Sequence, residues 1–269
     1  MNAATFREKY GPWAVVAGAS EGLGTAFAEE CASRGLNVVL VARSRDKLLS
    51  LQTSLSQRYK TECRILKLDL AAQDAASLLD QQTESLDTGL LIYNAALSLI
   101  GPYMSFSGEQ HRATVATNCL TPALCAHLFG RRFASRGRGG ILLMSSMAGF
   151  LGNPFLAHYA ASKAYIAVLA EGLSREYAAS NVDVLACCAG AIATPGYLKA
   201  SNGKKSFMVM RPRTVARLAL DKINRRGIFI PGIFNRCGAF FLQRLLPRRI
   251  AVSVMERSTR FMSKTQGKQ

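Results

Sequence analysis

The sequence predicts an α/β fold in which a doubly wound parallel sheet of seven strands is followed by a C-terminal basic helical extension. Three observations support this prediction. The 269 residues are 49% hydrophobic and 19% charged, which suits one large core and excludes disordered and coiled-coil chains. Short apolar runs alternate with amphipathic stretches, as in repeating strand–helix units whose strands are buried on both faces. A glycine-rich segment follows the first run, where such a sheet turns into its first helix.

Each strand is predicted from a run rich in Val, Ile and Leu, and each helix from the amphipathic stretch between two runs. The strands are residues 13–17, 37–41, 63–68, 90–93, 140–145, 183–188 and 227–230. The helices are residues 22–33, 45–59, 75–82, 109–133, 157–179 and 213–224. Residues 1–231 therefore form one domain. Two amphipathic helices split at Pro247, residues 232–246 and 248–261, make residues 232–269 an appendage of that domain.

Positive charge is concentrated at the C-terminal end. Residues 204–269 contain 16 Lys and Arg against two Asp and Glu, whereas residues 1–203 contain 18 against 15. This asymmetry calls for an acidic neighbour: a substrate, a partner protein, a phospholipid or a nucleic acid. Nucleic acid is disfavoured because aromatic residues do not alternate with basic ones, as a base-stacking groove requires. Peripheral membrane contact through the basic C-terminus is a further possibility that the sequence leaves undecided.

The cell compartment is predicted from the N-terminus and the cysteines. The first dozen residues lack the apolar core of a secretion signal, and the longest uncharged stretches contain Pro, Asn and His, which disfavours a membrane-spanning helix. The seven Cys are an odd number without metal-type spacing, which indicates free thiols in a reducing compartment. We therefore expect a cytoplasmic protein. His111, His127 and His158 share no metal spacing, and we expect them to serve packing.

The glycine-rich segment has the spacing of a phosphate-binding turn. Gly18 permits the tight turn, Gly22 lets the backbone approach a phosphate, and Gly24 lets the helix pack against the strand. The helix N-terminus offers free N–H groups to a pyrophosphate. The intervening residues predicted to line this site are Ser20, Glu21 and Leu23, although the carboxylate of Glu21 opposes a phosphate.

Arg43 at the end of the second strand favours NADP(H) over NAD. An NAD site would place Asp or Glu here to hold the ribose hydroxyls, whereas guanidinium, with Arg45 as a second candidate, suits a 2′-phosphate. A solvent-exposed Arg without a ligand is the alternative. Asp69, at the end of the third strand, either accepts from an adenine amino group or caps the following turn.

Tyr159 and Lys163 lie four residues apart, which places both on one face of a helix. A neighbouring ammonium lowers the pKa of a tyrosine and makes it a usable acid. Such a pair is common by chance, but Ser146, thirteen residues earlier at the end of the fifth strand, adds a hydroxyl. We expect the three groups to converge on one carbonyl.

Together these motifs resemble the classical short-chain dehydrogenase/reductase family, which has a Rossmann-type fold, over residues 13–194. They follow the family in order and spacing: Gly18-x-x-x-Gly22-x-Gly24, Asn94-Ala95, Asn118, Ser145-Ser146, Tyr159-x-x-x-Lys163 and residues 189–194. Two positions depart from it. The segment Tyr93 to Ala96 reads Tyr-Asn-Ala-Ala instead of Asn-Asn-Ala-Gly, and Ala189-Gly190 stands for Pro-Gly. These departures affect the expected cofactor affinity.

The resemblance implies a role for each matched residue. Tyr159 would donate the proton, Lys163 would lower its pKa and hold the nicotinamide ribose, and Ser146 would orient the carbonyl. Asn118 would hold a water in the proton relay, and Ile192 and Thr194 would contact the nicotinamide carboxamide. Leu70, Asn94 and Ala95 complete the predicted cofactor-binding set. Hydride transfer from the B face of the nicotinamide is also implied.

Within the family, residues 10–16 and 37–45 most resemble the 17-beta-hydroxysteroid dehydrogenase and very-long-chain 3-oxoacyl-CoA reductase branch. The resemblance implies NADPH-dependent reduction of a hydrophobic ketone, either a steroid-like ketone or an acyl thioester on coenzyme A or acyl carrier protein. An NADP(H)-binding sensor or scaffold whose basic tail binds an acidic partner is the alternative.

The surroundings of the site suggest where substrate and subunits bind. The segment 195–211 is apolar with embedded lysines and could form a lid, and Lys204, Lys205, Arg248 and Arg249 could receive an anionic carrier. Uncharged faces on residues 109–133 and 157–179 suggest a subunit interface, and the family implies a homodimer or homotetramer.

Overall fold

A computed structural model describes residues 2–201, 209–225 and 227–266. The predicted lysines Lys204 and Lys205 lie outside these residues. In the described part the seven strands are β1 Trp13–Ala17, β2 Asn37–Ala42, β3 Cys63–Lys67, β4 Thr88–Tyr93, β5 Gly139–Ser146, β6 Val182–Ala189 and β7 Gly227–Phe229. Every predicted strand is present, with its ends within two residues of the prediction.

All strand pairs are parallel, and the strands lie in the order β3-β2-β1-β4-β5-β6-β7. The chain starts in the middle of the sheet, builds outward to β3, then crosses to β4 and continues to β7. This doubly wound order confirms the predicted fold class. Ligands in such sheets bind beyond the carboxyl ends of the strands, where the winding reverses between β1 and β4.

The helices of the described residues occupy both faces of the sheet. They are α1 Ala3–Tyr10, α2 Gly22–Ser33, α3 Arg45–Tyr59, α4 Ala75–Gln82, α5 Gly108–Val115, α6 Thr121–Ser135, α7 Ala157–Glu176, α8 Pro195–Ala200, α9 Pro212–Asp221, α10 Ile233–Phe240 and α11 Arg248–Gln266. The side chains of the strands alternate between two apolar clusters, one on each face of the sheet. Val15 and Val16, for example, are fully buried on opposite faces.

Two helix predictions need correction. The helix predicted over residues 109–133 is present over residues 108–135, but it contains a π-helical turn, Ala116–Leu120, between α5 and α6 that was not predicted. The segment before β1, for which no element was predicted, forms α1, capped by the side chain of Asn2. Tyr10 of α1 is fully buried and donates to Asp183 Oδ2 at 2.5 Å.

The two helices predicted on either side of Pro247 are present. A π-helical turn, Phe241–Leu245, extends α10, and α11 begins after Pro247. Asn235 Nδ2 donates to the carbonyl of Pro231 at 3.0 Å, and Thr259 Oγ1 donates to Asn153 Oδ1 at 2.7 Å. Both helices are thus held against the sheet domain. Within the described residues, no helix combines the length and apolarity needed to cross a membrane.

Candidate active site

The predicted catalytic hydroxyls meet at the carboxyl end of β5. Ser146 is the last residue of β5, and its Oγ donates to the carbonyl of Ala189, the last residue of the neighbouring β6, at 3.4 Å. The N–H of Ala148 donates to the same Oγ at 3.2 Å. Tyr159 lies in the first turn of α7, and the hydroxyl of Ser146 is near enough to act on the pKa of its phenol. The structure thus brings Ser146 and Tyr159 to the same end of the sheet.

Lys163 lies one turn further along α7 and is 3% exposed. Its Nζ donates to the carbonyl of Met144 at 2.8 Å and lies 5.6 Å from the centre of the Tyr159 ring. The backbone is fixed from the other side, because Ser145 Oγ donates to the carbonyl of Lys163 at 2.6 Å. Strand β5 thus holds the lysine at both ends, which places its ammonium beside the tyrosine.

Burial controls the ionisation of both groups. It raises the pKa of Tyr159, and the hydroxyl of Ser146 opposes this only in part. Burial also lowers the pKa of Lys163 to about 8. The expectation that Tyr159 has a lowered pKa is therefore wrong for these surroundings, because desolvation is the largest effect on the phenol. The neutral phenol that results is the form able to donate a proton.

Asn118 lies inside the π-helical turn and is 1% exposed. Its Oδ1 accepts from the N–H of Leu97, and its Nδ2 donates to the carbonyl of Leu97, both at 2.8 Å. Nδ2 also donates to Ser162 Oγ at 3.0 Å, and that hydroxyl donates to the carbonyl of Tyr159 at 2.8 Å. These hydrogen bonds link the side chain of Asn118, through the hydroxyl of Ser162, to the backbone of Tyr159. Sequence reasoning assigned no role to Leu97 or Ser162.

The glycine turn is shaped so that side chains would not fit. Gly18 has φ +86°, and a Cβ there would lie 2.7 Å from the backbone nitrogen of Ala95. Gly22 has φ +60° and faces Thr194, and a Cβ on Gly24 would lie 1.8 Å from the carbonyl oxygen of Gly18. The turn leads into the N-terminus of α2, which leaves N–H groups free to bind phosphate. This cradle fits the pyrophosphate of a dinucleotide.

The residues next to this cradle hold it in place. Asn94 Nδ2 donates to the carbonyl of Gly18 at 3.1 Å, and the N–H of Ala95 donates to the carbonyl of Ala17 at 3.0 Å. Across the cleft Ile192 forms a bridge with Met210, and the hydroxyl of Thr194 caps α8. Gly22 and Thr194 approach each other, so the predicted pyrophosphate and nicotinamide ends of the site adjoin. Ser20 and Leu23 lie within the turn and the start of α2.

Arg43 follows β2 directly and is exposed, and no ion pair involves it among the described residues. Arg45, at the start of α3, is also exposed. The carboxylate of Glu21, which seemed unfavourable beside a phosphate, pairs with Lys47 Nζ at 2.7 Å. This pair offsets the negative charge of Glu21 at the mouth of the glycine turn.

Asp69 caps the turn that follows it, because its carboxylate accepts a hydrogen bond from the N–H of Ala71 at 3.0 Å. The side chain is exposed, which leaves its other oxygen accessible. Leu70 is buried, and its carbonyl accepts from Thr121 Oγ1 at 2.9 Å. Leu70 therefore supports α6 through its backbone. All seven Cys are free, as predicted.

A histidine pair beside the site was not foreseen from the sequence. His111 Nδ1 and His158 Nδ1 are 2.7 Å apart, and Tyr103 stacks on His111 at a ring distance of 4.4 Å. With Phe155 and other apolar residues they line a small cavity of about 20 Å³. The pairing depends on contact between α5 and α7, which sequence spacing does not reveal. Among the described residues, no cluster of three or more His, Cys, Asp or Glu could hold a metal.

The family model described as short chain dehydrogenase matches residues 12–205. The chain belongs to this family. The match spans the glycine turn, Ser146, Tyr159 and Lys163, so the resemblance that these motifs predicted is confirmed. As a short chain dehydrogenase, the protein is an oxidoreductase of a family that uses nicotinamide cofactors.

Curated relatives of this short chain dehydrogenase are named for steroid and acyl-CoA substrates. The chain is 36% identical over 233 residues to a 7beta-hydroxysteroid dehydrogenase of Clostridium sardiniense, covering 86% of this chain and 89% of that protein. It is 34% identical over 220 residues to a very-long-chain 3-oxoacyl-CoA reductase of Pyricularia oryzae, covering 80% of this chain and 66% of that protein.

Solved structures agree with these relatives. One, reported for the stereoselectivity of a 7beta-hydroxysteroid dehydrogenase, aligns with a TM-score of 0.88 and 30% identity over 95% of this chain and 99% of that one. A short-chain dehydrogenase of Sphingobium yanoikuyae in complex with NADPH aligns with a TM-score of 0.77 and 27% identity, over 87% of this chain and 94% of that one. The likeness extends past the sheet, since the first alignment covers nearly the whole chain.

Proposed function

We propose that this short chain dehydrogenase reduces the ketone of an apolar substrate to a secondary alcohol with NADPH. The observation that carries the proposal is the ammonium of Lys163 beside the ring of Tyr159, with the hydroxyl of Ser146 near the phenol, at the sheet edge that also holds the glycine turn. Two neighbouring hydroxyl donors suit an oxygen on which negative charge develops.

In the proposed reaction NADPH, when bound, supplies the hydride that adds to the ketone carbon. The O–H of Tyr159 donates its proton to the ketone oxygen, and the hydroxyl of Ser146 orients that oxygen. Lys163 stabilises the phenolate that Tyr159 becomes and holds the nicotinamide ribose. Asn118 and Ser162 fix the backbone of Tyr159, and Asn118 would also hold a relay water that returns a proton.

The cofactor contacts follow the same proposal. The glycine turn with the N-terminus of α2 would hold the pyrophosphate, and Asn94 and Ala95 would support the adenine ribose side. Arg43 would hold the 2′-phosphate, since it is exposed at the strand end where an NAD site would carry a carboxylate. The neighbour that binds NADPH, at 27% identity, supports this cofactor. Because cells keep NADP(H) reduced, reduction is the proposed direction.

The substrate is proposed to be a steroid-like ketone or a 3-oxoacyl thioester, the two classes named for the curated relatives. The exposed pair Arg248 and Arg249 could receive the anionic end of a thioester carrier. A variant R248Q/R249Q should then raise the KM of a CoA-bound ketone and spare a neutral ketone. Equal effects on both would contradict the carrier contact.

The experiment that tests the function is the oxidation of NADPH and NADH against a panel of steroid, aromatic and 3-oxoacyl thioester ketones. We expect turnover with NADPH, slower turnover with NADH, and a preference for one apolar class. Absence of turnover across the panel while NADPH still binds would instead support the sensor or scaffold hypothesis.

A further inference from the structure

The outer side of the C-terminal helices carries exposed apolar side chains. We define the C-terminal apolar face as the six residues Ile233, Phe240, Phe241, Leu245, Ile250 and Val254. Each is between 44% and 61% exposed, and they alternate along the helices with buried positions. Soluble chains rarely expose several large apolar side chains on one surface element unless that surface meets another phase or molecule.

This face cannot turn inward, because the opposite side of the same helices is already fixed to the domain. Asn235 and Ala239 of α10 and Ala251 and Thr259 of α11 are buried. Asn235 Nδ2 contacts Met210 Sδ at 3.4 Å and Thr259 Oγ1 donates to Asn153 Oδ1, so these sides of the two helices face the domain. The six apolar side chains of this face therefore do not form part of the hydrophobic core.

Charge identifies what can cover the face. Arg236, Arg244, Arg248, Arg249 and Arg257 are exposed around it, and residues 232–269 contain eight Lys and Arg against the single acidic residue Glu256. That carboxylate already pairs with Arg260. A second copy of the chain would present the same positive charge and be repelled. Anionic lipid headgroups attract arginines while their acyl chains accept Phe, Leu and Ile.

Helix α11 also contacts the segment that connects β5 to α7, the helix of Tyr159 and Lys163. Thr259 bonds Asn153 of this segment, and Arg260 stacks on Phe155 at 5.4 Å. Phe155 lines the cavity that contains His158, the neighbour of Tyr159. A surface that contacts α11 is therefore joined to the candidate active site through this segment.

We propose that the C-terminal apolar face docks on the surface of an anionic phospholipid bilayer, with α10 and α11 lying along the interface. Phe240, Phe241 and Leu245 enter the boundary between headgroups and acyl chains, and Arg244, Arg248 and Arg249 pair with lipid phosphates. This interaction goes beyond ketone reduction, and it does not depend on which ketone is the substrate.

The test is flotation of the full chain with vesicles of phosphatidylcholine alone or with about one-third phosphatidylglycerol, at roughly 0.1 M salt. The wild type should float with the anionic vesicles and stay behind with the neutral ones. The variant F240S/F241S/L245S should lose flotation. The matched control L49S/I228S, which replaces two exposed apolar residues elsewhere, should float like the wild type.

Charge is tested separately with R236Q/R244Q/R257Q, three exposed arginines of the same helices that have no part in the proposed substrate contact. Because each basic residue near an anionic surface strengthens binding by about fivefold, this variant should bind about a hundredfold more weakly. All variants should keep their turnover of a water-soluble ketone in the absence of vesicles, because none of the replaced residues belongs to the proposed site.

Three results would overturn the proposal: no binding by the wild type, equal binding to neutral and anionic vesicles, or wild-type binding by F240S/F241S/L245S. If that variant instead turns an oligomer into a monomer and no form binds vesicles, the face is a subunit interface. Vesicle binding without any ketone turnover would refute the proposed function and leave the docking surface supported.

Discussion

At the scale of single residues, the buried ammonium of Lys163 sets a pH dependence of stability. Its pKa is lowered to about 8 by burial, from 10.5 in the unfolded chain. Between these values the unfolded state binds more protons than the folded state, so the free energy of unfolding rises with pH. Relative to Lys163→Met, the wild type should gain about 3 kcal/mol between pH 8 and 10.5. Urea unfolding of both proteins across this range measures the gain, and parallel curves would show that the ammonium is not buried.

Arg43 is the residue that decides the cofactor preference in the proposed site. In Arg43→Ala the KM for NADPH should rise by about 10- to 100-fold, the range expected for a lost hydrogen bond to a charged group, while the KM for NADH changes little. Arg58→Ala, at the far end of α3, removes an equally exposed charge and should leave both constants unchanged. An equal rise of the KM for NADPH and for NADH in Arg43→Ala would contradict a contact between Arg43 and the 2′-phosphate.

At the scale of elements, α1 ties the N-terminus to the far side of the sheet. Tyr10 donates to Asp183 of β6, and Lys9 Nζ lies 2.6 Å from the same oxygen. Tyr10→Phe removes one hydrogen bond to the carboxylate of Asp183. We expect it to lower the free energy of unfolding by about 1–3 kcal/mol. Tyr103→Phe, which removes the hydroxyl of an exposed tyrosine, is the control and should cost nothing measurable. Thermal or urea unfolding compares the two, and equal stability would contradict a structural role for α1.

The same elements show where sequence reasoning succeeded and where it stopped. Each strand was predicted because it is a local run of apolar residues, and the glycine turn because its spacing alone defines it. Helix α1 was missed, since its short sequence is helical only through the cap of Asn2 and the burial of Phe6 and Tyr10. The π-helical turn at Asn118 and the pair of His111 and His158 depend on tertiary contacts. The pKa of Tyr159 was predicted in the wrong direction because the extent of burial is not visible in the spacing of its neighbours.

At the scale of the whole molecule, a second exposed apolar surface lies on the helices predicted to join subunits. Val115, Leu120 and Leu124 around α5 and α6, and Tyr165 and Val168 on α7, are 40% to 68% exposed. We expect a homodimer or homotetramer built on this surface. In L124E/V168E the buried charges would be unpaired, so light scattering after size exclusion should report a smaller species than for the wild type. Leu49→Glu is the control and should keep the wild-type mass, and an unchanged mass in the double variant would exclude this interface.

The proposed donation of a proton from Tyr159 to a ketone beside NADPH is best tested by removing the phenol hydroxyl. Tyr159→Phe removes only the phenol oxygen, so the variant should bind NADPH with the wild-type Kd, followed by fluorescence. Its kcat with the best ketone of the panel should fall by about 100- to 10,000-fold, the usual contribution of a positioned acid. We expect a loss of kcat with intact NADPH binding. A variant that reduces the ketone at the wild-type rate would contradict proton donation by Tyr159.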